Sequence, residues 1–480
     1  MLLDICDDLR DAFVTAGYDA DTVLDVLGAD AHAALGRGEP VPARRAARGA
    51  GALGTLIRLF LLADPVPESE AAQAFRALRV DDARAAGLLE RDGDEVRTAL
   101  DVRPLDVGAG NRWIISDLDG SLRPRPIGVD HVLGVGHASL SLLRATPTAP
   151  VARVLDLGTG CGIQAVHASG YADHVVGTDV NERALRLAAA TAQLNSLTLD
   201  LRHGSWFEPV AGAEFDQIVA NPPFVVGAGR VEHTYRDSGL HLDGASELVV
   251  STVPRHLAPG GTAALLASWL HTSGDDWRRR VAAWLPDTGV DAWIVQRDVA
   301  EPALYVGTWL RDAGLDPRTP VAQQRAEQWL DDLAAADVDG IGFGFVFLRR
   351  IDGPTQVLAE DLTHGFDDPL GAEVPGYFTR SAWLRDHDVL DGRLTLDPAT
   401  ALERVSLPGE TGWREVVVRL HRGDGPAWQH EADDLTARLV GALSSGVLTV
   451  ADAAQLLDVD AAAAAAVVEA LIRHGLVVPV

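Results

Sequence analysis

Three short segments of the chain carry residues whose types and spacing could bind a ligand or do chemistry. The first, 154–162, is an apolar run that leads into three glycines, as in a buried strand followed by a tight turn and a helix. Glycine lets the backbone adopt conformations that other residues avoid and lets it approach a ligand closely. The second is Asp179, which ends the next predicted strand, where a carboxylate can accept hydrogen bonds from both hydroxyls of a ribose.

The third segment is Asn221-Pro222-Pro223-Phe224, which directly follows a predicted strand at 217–220. As a bare string of four residues it is typical of a turn, because Asn and Pro both favour turns. Ligands of open α/β sheets bind outside the carboxyl ends of the strands. The glycines, Asp179 and Asn221 each lie at or just after the carboxyl end of a predicted strand. We therefore expect them to meet at one edge of a sheet.

The glycine turn has one obvious alternative interpretation, a dinucleotide-binding fold. That fold needs the pattern Gly-x-Gly-x-x-Gly. Here Gly158 and Gly160 are followed by Gly162 and then by Ile163, where the third glycine of the pattern should stand. The spacing therefore disfavours a dinucleotide, and the ligand need not carry a pyrophosphate.

Alternating strand and helix patterns from residue 151 onward predict an α/β fold whose parallel sheet positions these segments. Residues 1–120 are predicted to form an N-terminal helical and winged-helix-like domain. Residues 121–350 form the α/β domain, in which 301–336 is a helical insertion on the substrate side. Residues 351–480 form a C-terminal α+β extension that ends in a second winged-helix-like module. The predicted strands of the α/β domain are 151–157, 175–179, 199–203, 217–220, 262–269, 291–296 and 342–349.

Composition narrows the classes of function and the compartment. The 480 residues carry a formal net charge of −28, and an acidic field disfavours tight non-specific binding to phosphate backbones. The two cysteines, Cys6 and Cys161, form neither a disulfide framework nor a metal-binding spacing, so no metal site is predicted. The acidic N-terminus does not resemble a signal peptide, and charges or prolines interrupt the apolar runs well short of a membrane span. We therefore expect a soluble, cytoplasmic protein that does not engage a membrane.

Together, the 156–162 turn, Asp179 and Asn221-Pro-Pro-Phe resemble a class I S-adenosylmethionine-dependent methyltransferase of the small-domain type. Within that class the chain is similar to the HemK-like release-factor glutamine methyltransferases and to the amino-methylating rRNA and adenine enzymes. The resemblance covers about residues 125–350 and leaves the flanking regions unexplained. It implies a Rossmann-like seven-stranded core with S-adenosyl-L-methionine as the cofactor.

The resemblance also implies a role for each position of the cofactor site. Asp156, Gly158 and Gly160 would line the methionine end, and Asp179 would hold the ribose. The adenine would meet three further side chains, Val180, Ser205 and Trp206. Many relatives carry an acidic residue where Ser205 stands, so its bond to the adenine amino group would be weaker. Trp206 or its neighbour Phe207 could stack on the adenine ring, and either could equally belong to the core.

The chemistry of amino methylation explains the residue types at 221–224, with Asn221 also bordering the cofactor. An amide or nucleobase nitrogen is a poor nucleophile, because its lone pair is delocalised. The Asn221 side-chain oxygen and the Pro222 carbonyl could each accept one N–H and aim the lone pair at the methyl group. Those dipoles would stabilise a nitrogen that becomes cationic in the transition state. Pro222 and Pro223 stiffen the loop, and Phe224 offers a ring face to a planar acceptor.

Three functions remain open at this point. The first is methylation of a glutamine side-chain amide in a protein substrate, with a translation factor among the candidates, and the acidity favours it. The second is methylation of a nucleobase amino group in rRNA or DNA, which the winged-helix-like flanks favour. A basic face for nucleic acid would need three arginine groups, 44–48, 123–125 and 278–280, to converge. The third is a non-catalytic regulator that binds the cofactor, against which the intact Asn221 and Phe224 argue.

Four weaker candidates complete the sequence interpretation. Residues 134–137 could form a flap over the methionine end or a plain loop, and 117–120 is typical of a turn. Residues 235–237 follow the Asn-Pro-Pro-Phe segment and could contact substrate. Scattered loop histidines usually act neither as bases nor as ligands, and that is the expectation for three of them, His137, His233 and His241.

Overall fold

The computed structural model describes residues 1–108, 110–120, 122, 128–228, 234, 237–365 and 370–480. The chain divides into two compact units. The first comprises Met1–Leu143 and Thr148–Asp361, and the second comprises Arg144–Pro147 and Leu362–Val480. The division into three domains, with boundaries at 120 and 350, stays a prediction.

The N-terminal part of the first unit is helical and ends in small β hairpins, as the sequence predicts. Its apolar positions pack with those of helix α10 (Glu182–Leu194) in one core, which includes Leu9, Phe13, Leu187 and Leu194. Residues 1–120 therefore support one flank of the α/β sheet. The elements are α1 Cys6–Ala16, α2 Ala20–Leu27, α3 Ala29–Gly36, α4 Pro40–Ala46, α5 Gly51–Leu56, β1 Val66–Pro67, α6 Glu68–Phe75, α7 Val80–Ala85, β2 Leu89–Asp92, β3 Glu95–Thr98, β4 Leu100–Asp106, β5 Asn111–Asp117 and α8 His137–Ala145.

The α/β part alternates strands with helices, which confirms the predicted fold class. Its strands read as nearly continuous apolar runs, because helices cover both faces of a parallel sheet. The elements are β6 Val151–Leu157, α9 Ile163–Ala168, β7 Ala172–Asp179, α10 Glu182–Leu194, β8 Asp200–His203, β9 Phe215–Ala220, β10 Gly227–Ala228, β11 His241–Leu242, α11 Gly244–Thr252, β12 Leu257–Thr272, α12 Trp277–Ala282, β13 Thr288–Ala300, α13 Pro302–Asp312, α14 Pro320–Ala335, β14 Val338–Pro354 and β15 Gln356–Asp361.

The central sheet of the described residues has eight strands in the order β15-β13-β14-β12-β9-β6-β7-β8. Strands β12, β9, β6, β7 and β8 are mutually parallel, whereas β14 runs antiparallel to β12 and β13. The expected number was seven, and the eighth strand is β15, which pairs in parallel with β13. Its apolar run, Val357–Leu358–Ala359, is too short to distinguish from a loop, so the sequence had assigned it to the C-terminal extension.

The second unit is mixed, and its three C-terminal helices confirm the predicted helical runs. Two antiparallel arrangements accompany them, a β17-β18-β19 sheet and a β16-β20 pair. Over the described residues, none of the helices is both long enough and apolar enough to cross a membrane. The elements are α15 Leu370–Asp386, β16 Leu394–Leu396, β17 Thr400–Gly409, β18 Gly412–Arg422, β19 Gln429–Glu431, α16 Asp434–Leu443, α17 Val450–Leu456, α18 Ala461–Arg473 and β20 Val477–Pro479.

Candidate active site

The glycine turn between β6 and α9 forms the floor of a cavity of about 330 Å³, a size typical of small-molecule sites. Gly158, Gly160 and Gly162 have φ angles of 76°, 56° and 88°, in the left-handed region that favours glycine. A Cβ at Gly158 or Gly160 would meet nothing within 4 Å, and both residues line the cavity. The turn therefore leaves its backbone open to the cavity, and the predicted contact with a ligand stays a prediction.

Asp156 lies under this turn, at the end of β6, with only 1% of its surface exposed. Its Oδ2 accepts hydrogen bonds from Thr159 Oγ1 at 2.7 Å and from the Ala165 backbone N–H at 3.0 Å. Burial raises the pKa of Asp156 to about 7, against the lowering effect of those two bonds. Asp156 therefore closes the turn onto helix α9, and it is also one of the residues that line the cavity.

Asp179 ends β7 next to the turn and lines the same cavity. Its Oδ2 accepts from the Gly160 N–H at 2.9 Å, and its Oδ1 accepts from the Asn181 N–H at 2.8 Å. Burial raises the pKa of Asp179, while these backbone bonds act to lower it. Each oxygen keeps a further lone pair, because a carboxylate can accept about four hydrogen bonds. The predicted role in holding ribose hydroxyls fits this geometry.

The predicted adenine side of the cavity is built by the residues that follow β7 and β8. Val180, 56% exposed, lines it together with Ser205 and Trp206. Trp206 has a φ of 48°, a left-handed conformation that costs a bulky residue energy and often occurs at ligand sites. Phe207 lies in the core instead, stacked on His256 with ring centroids 4.8 Å apart. Of the two aromatic candidates, Trp206 is therefore the one beside the ligand space.

The Asn221-Pro-Pro-Phe segment begins directly after β9, next to the glycine turn that follows β6. Asn221, Pro222 and Pro223 line the cavity. Phe224 contacts Phe343 of β14, with ring centroids 5.1 Å apart. The Phe224 carbonyl accepts a hydrogen bond of 2.6 Å from Ser268 Oγ of β12. The structure thus brings all three sequence segments to one edge of the sheet, and the catalytic roles assigned to them stay predictions.

Residues 131–134 form another part of the cavity wall. Gly134 of the predicted flap is part of this wall, whereas His137 begins helix α8. Asp117 anchors the wall, because its Oδ2 accepts from the Val132 N–H at 2.9 Å and from Arg183 Nε at 3.0 Å. Burial acts to raise the pKa of Asp117, but these bonds and the Arg183 charge outweigh burial and lower it.

The strand predicted at 111–117 is confirmed, and the segment 117–120 predicted as a turn begins at its last residue. Asp117 is the last residue of β5, 5% exposed, and the turn starts after it. The ion pair between Asp117 and Arg183 was not predicted, because Arg183 lies far along the chain on α10. The Asp-x-Asp-Gly pattern is in itself typical of a turn.

Gln164 is a residue of the site that the sequence analysis did not single out. It lines the cavity at the start of α9, is 4% exposed, and donates from Nε2 to the Ser139 carbonyl at 2.8 Å. Its Oε1 is buried and has no hydrogen-bond partner among the described residues. A buried amide oxygen without a partner is costly, so this oxygen is a place for a donor from a ligand. The sequence signal that could have indicated Gln164 is a polar side chain at the start of an otherwise apolar helix.

The remaining candidates do not join the cavity as a group. Asp237 lines it, whereas Tyr235, Arg236 and His233 lie outside the described residues. Arg123 and Arg125 of the predicted basic face also lie outside them. Other arginines of those groups are paired with carboxylates, Arg44 with Asp64 at 2.6 Å, Arg278 with Asp361, Arg279 with Asp275 at 3.1 Å and Arg280 with Asp243 at 2.7 Å.

Comparison with protein families agrees with this geometry. Residues 133–267 match the methyltransferase small domain. Residues 15–99 and 375–479 match two domains of unknown function, DUF7059 and DUF7782.

Curated relatives align with the same central region. A release factor glutamine methyltransferase of Geobacter sulfurreducens is 36% identical over 131 residues, which are 25% of this chain and 45% of the relative. A release factor glutamine methyltransferase of Xylella fastidiosa is 34% identical over 144 residues, or 25% and 52%. A ribosomal protein uL3 glutamine methyltransferase of Xanthomonas campestris is 36% identical over 123 residues, or 23% and 40%. The chain thus spans about half the length of these relatives.

Among solved structures, the chain is similar to a T. thermophilus 16S rRNA methyltransferase in complex with AdoMet and guanosine. The identity is 20%, the match covers 52% of this chain and 65% of that one, and the TM-score is 0.29. The assignment of the central region rests on its sequence match, its glycine turn and its strand order. Residues 133–267 of this chain are therefore similar in sequence to the methyltransferase small domain.

Proposed function

We propose that this chain transfers a methyl group from S-adenosylmethionine to the side-chain amide nitrogen of a glutamine in a protein substrate. The observation that carries the proposal is the position of Asn221 and Pro222, which line the same cavity as Gly158 and Asp179. The relatives that match this region are named as glutamine methyltransferases. By analogy with them, a translation factor is the candidate substrate.

The residues of the cavity fit S-adenosylmethionine. The open backbone at Gly158 and Gly160 suits the methionine end. So does the Gln164 Oε1, which has no partner within the described part of the chain and to which the ammonium group can donate. Asp179 would hold the ribose hydroxyls, and Val180 and Trp206 would border the adenine. A buried Asp156 beside the methionine end favours a ligand with positive charge. When bound, the cofactor supplies an electrophilic methyl group.

The protein groups at the acceptor end act on the amide nitrogen. The Asn221 side-chain oxygen and the Pro222 backbone carbonyl accept its two N–H groups, which fixes its direction and favours a pyramidal nitrogen. As the nitrogen gains positive charge, both dipoles stabilise it more than they stabilise the planar amide. The methylated nitrogen is acidic and gives its proton to solvent, so a strong general base is not required.

Electrostatics favour a protein acceptor over a nucleobase. Enzymes that bind nucleic acid usually carry a basic face that displaces counterions from the phosphates. This chain carries a net charge of −28, and Arg44, Arg278 and Arg280 are engaged by carboxylates. A protein loop can dock through shape and a few hydrogen bonds, without neutralisation of phosphates.

The test is incorporation of label from methyl-tritiated cofactor in a lysate. One portion of the lysate is treated with nuclease, and another with a protease that is quenched before the enzyme is added. The enzyme with Asn221→Ala serves as the control for background transfer. Label that survives nuclease and vanishes after proteolysis supports the proposal. Label that follows rRNA or DNA, and that falls steeply as salt is raised, overturns it in favour of nucleobase methylation.

A further inference from the structure

The segment that follows Asn221-Pro-Pro-Phe is held by side chains from the insertion between β13 and β14. Val226, two residues after Phe224, is fully buried. Its backbone N–H donates to the Tyr305 hydroxyl of α13 at 2.8 Å, and its carbonyl accepts from Trp329 Nε1 of α14 at 3.0 Å. Both polar groups of this one peptide residue are therefore satisfied by the insertion.

The insertion is packed against this segment. Val225 and Val226 share an apolar cluster with Leu310 of α13 and Leu333 of α14. The rings of Tyr305 and Trp329 meet edge to face, with centroids 6.2 Å apart at 87°. The Trp329 ring also lies beside Gly227, where its atoms would be 3.6 Å from an added Cβ. The two side chains thus form one unit that closes around the backbone at 226–227.

The sheet holds the same segment at two other points. Asn221 continues directly from β9, and the Phe224 carbonyl is fixed by Ser268 Oγ at 2.6 Å. The Phe224 ring contacts the ring of Phe343. Phe343 of β14 lies directly opposite Ser268 of β12 in the antiparallel pair. The insertion supplies the third point, at Val226. The segment 221–226 is therefore tied at its start, at its middle and at its end, and the last tie depends on Tyr305 and Trp329.

We propose that Tyr305 and Trp329 are positioning residues for the acceptor side of the site, which makes the 302–335 insertion part of the catalytic apparatus. The inference rests on the proposed function, because the segment they hold contains the groups that would grip the amide. Small errors in the placement of reacting groups cost large factors in rate. Buried hydrogen bonds to the backbone are a direct means of fixing such a segment.

The experiment compares Tyr305→Phe and Trp329→Phe with Thr308→Val, an exposed control on α13 whose hydroxyl bonds only within its helix turn and to Arg311. Each aromatic change removes one polar contact to Val226 and keeps a ring in place. Three quantities are measured: hydrogen–deuterium exchange of the peptide that spans 221–228, cofactor affinity by calorimetry, and the single-turnover rate of methyl transfer. Wild-type transfer to protein is established first, and its absence would count against the proposed function alone.

Both aromatic variants should exchange the 221–228 peptide faster and lose about tenfold in single-turnover rate. Their cofactor affinity should stay within about twofold of wild type, because the insertion does not line the cofactor cavity. A merely structural role would instead lower cofactor affinity and rate together. Transfer at the wild-type rate in both variants, or unchanged exchange of the peptide, overturns the inference. Thr308→Val should match wild type in all three measurements.

Discussion

The replacement Asp179→Ala probes the cofactor site most simply, because the structure gives each oxygen of this carboxylate a defined partner. The Gly160 N–H lies 2.9 Å from Oδ2, and the Asn181 N–H lies 2.8 Å from Oδ1. The proposed ribose hydroxyls would add hydrogen bonds to the same charged group. Hydrogen bonds to a charged group contribute about 1.5–3 kcal/mol, which corresponds to roughly a 10-fold to 150-fold loss of affinity.

Calorimetric titration of the purified variant with S-adenosylmethionine gives this loss directly. Asp173→Ala is the matched control, since Asp173 lies on the same strand, is exposed and does not line the cavity. Thermal midpoints of both variants should be recorded, because Asp179→Ala also releases the glycine turn. An affinity within about twofold of wild type, in a folded Asp179→Ala variant, would refute the assignment of Asp179 to the ribose.

Three further outcomes follow from the same geometry. Asn221→Ala should cut single-turnover methyl transfer by about a hundredfold or more while cofactor affinity stays nearly intact; transfer at the wild-type rate would remove Asn221 from the chemistry. Gln164→Leu should lower S-adenosylmethionine affinity about tenfold in calorimetry, since the proposed ammonium contact at Oε1 is lost, and unchanged affinity would rule that contact out. Because the pKa of Asp156 is raised to about 7 and a nearby sulfonium favours its ionised form, binding should release protons. The affinity for S-adenosylmethionine should therefore weaken as the pH falls through about 7. The affinity for the product S-adenosylhomocysteine, whose sulfur is uncharged, should change less with pH. An equal change of both affinities with pH would contradict the proposed effect of Asp156.

The features that the sequence predicted are those that depend on local pattern. The glycines at 158–162 need left-handed backbone angles, and that need is visible in the residue types themselves. Strands β6 and β9 are buried on both faces, so their apolar runs mark them clearly. The place of Asn221 at the edge of the sheet could then be predicted, because it directly follows the strand β9. The turn residues and the apolar runs of the strands were therefore enough to predict that Asp179 and Asn221 lie at one edge of the sheet.

The features that the sequence did not predict depend on partners far along the chain. The contacts of Asp117 with Arg183 and with the Val132 backbone were not predicted, because these partners are not its neighbours in the sequence. Gln164 became notable only once its Oε1 was seen to be buried without a partner. The insertion was predicted as helical, but its contact with Val226 comes from Tyr305 and Trp329, whose spacing along two helices carries no such signal. Tertiary contacts decided each of these cases.

The chemical form of the labelled product shows whether a glutamine amide nitrogen receives the methyl group. Protein labelled by the enzyme with methyl-tritiated cofactor is isolated and hydrolysed in acid, which cleaves a methylated glutamine amide to glutamate and methylamine. We expect the label to be recovered as volatile methylamine after the hydrolysate is made alkaline, and we expect the Asn221→Ala enzyme to yield almost none. Label that stays on an amino acid after acid hydrolysis, or that is found in the nucleic-acid fraction, would contradict it.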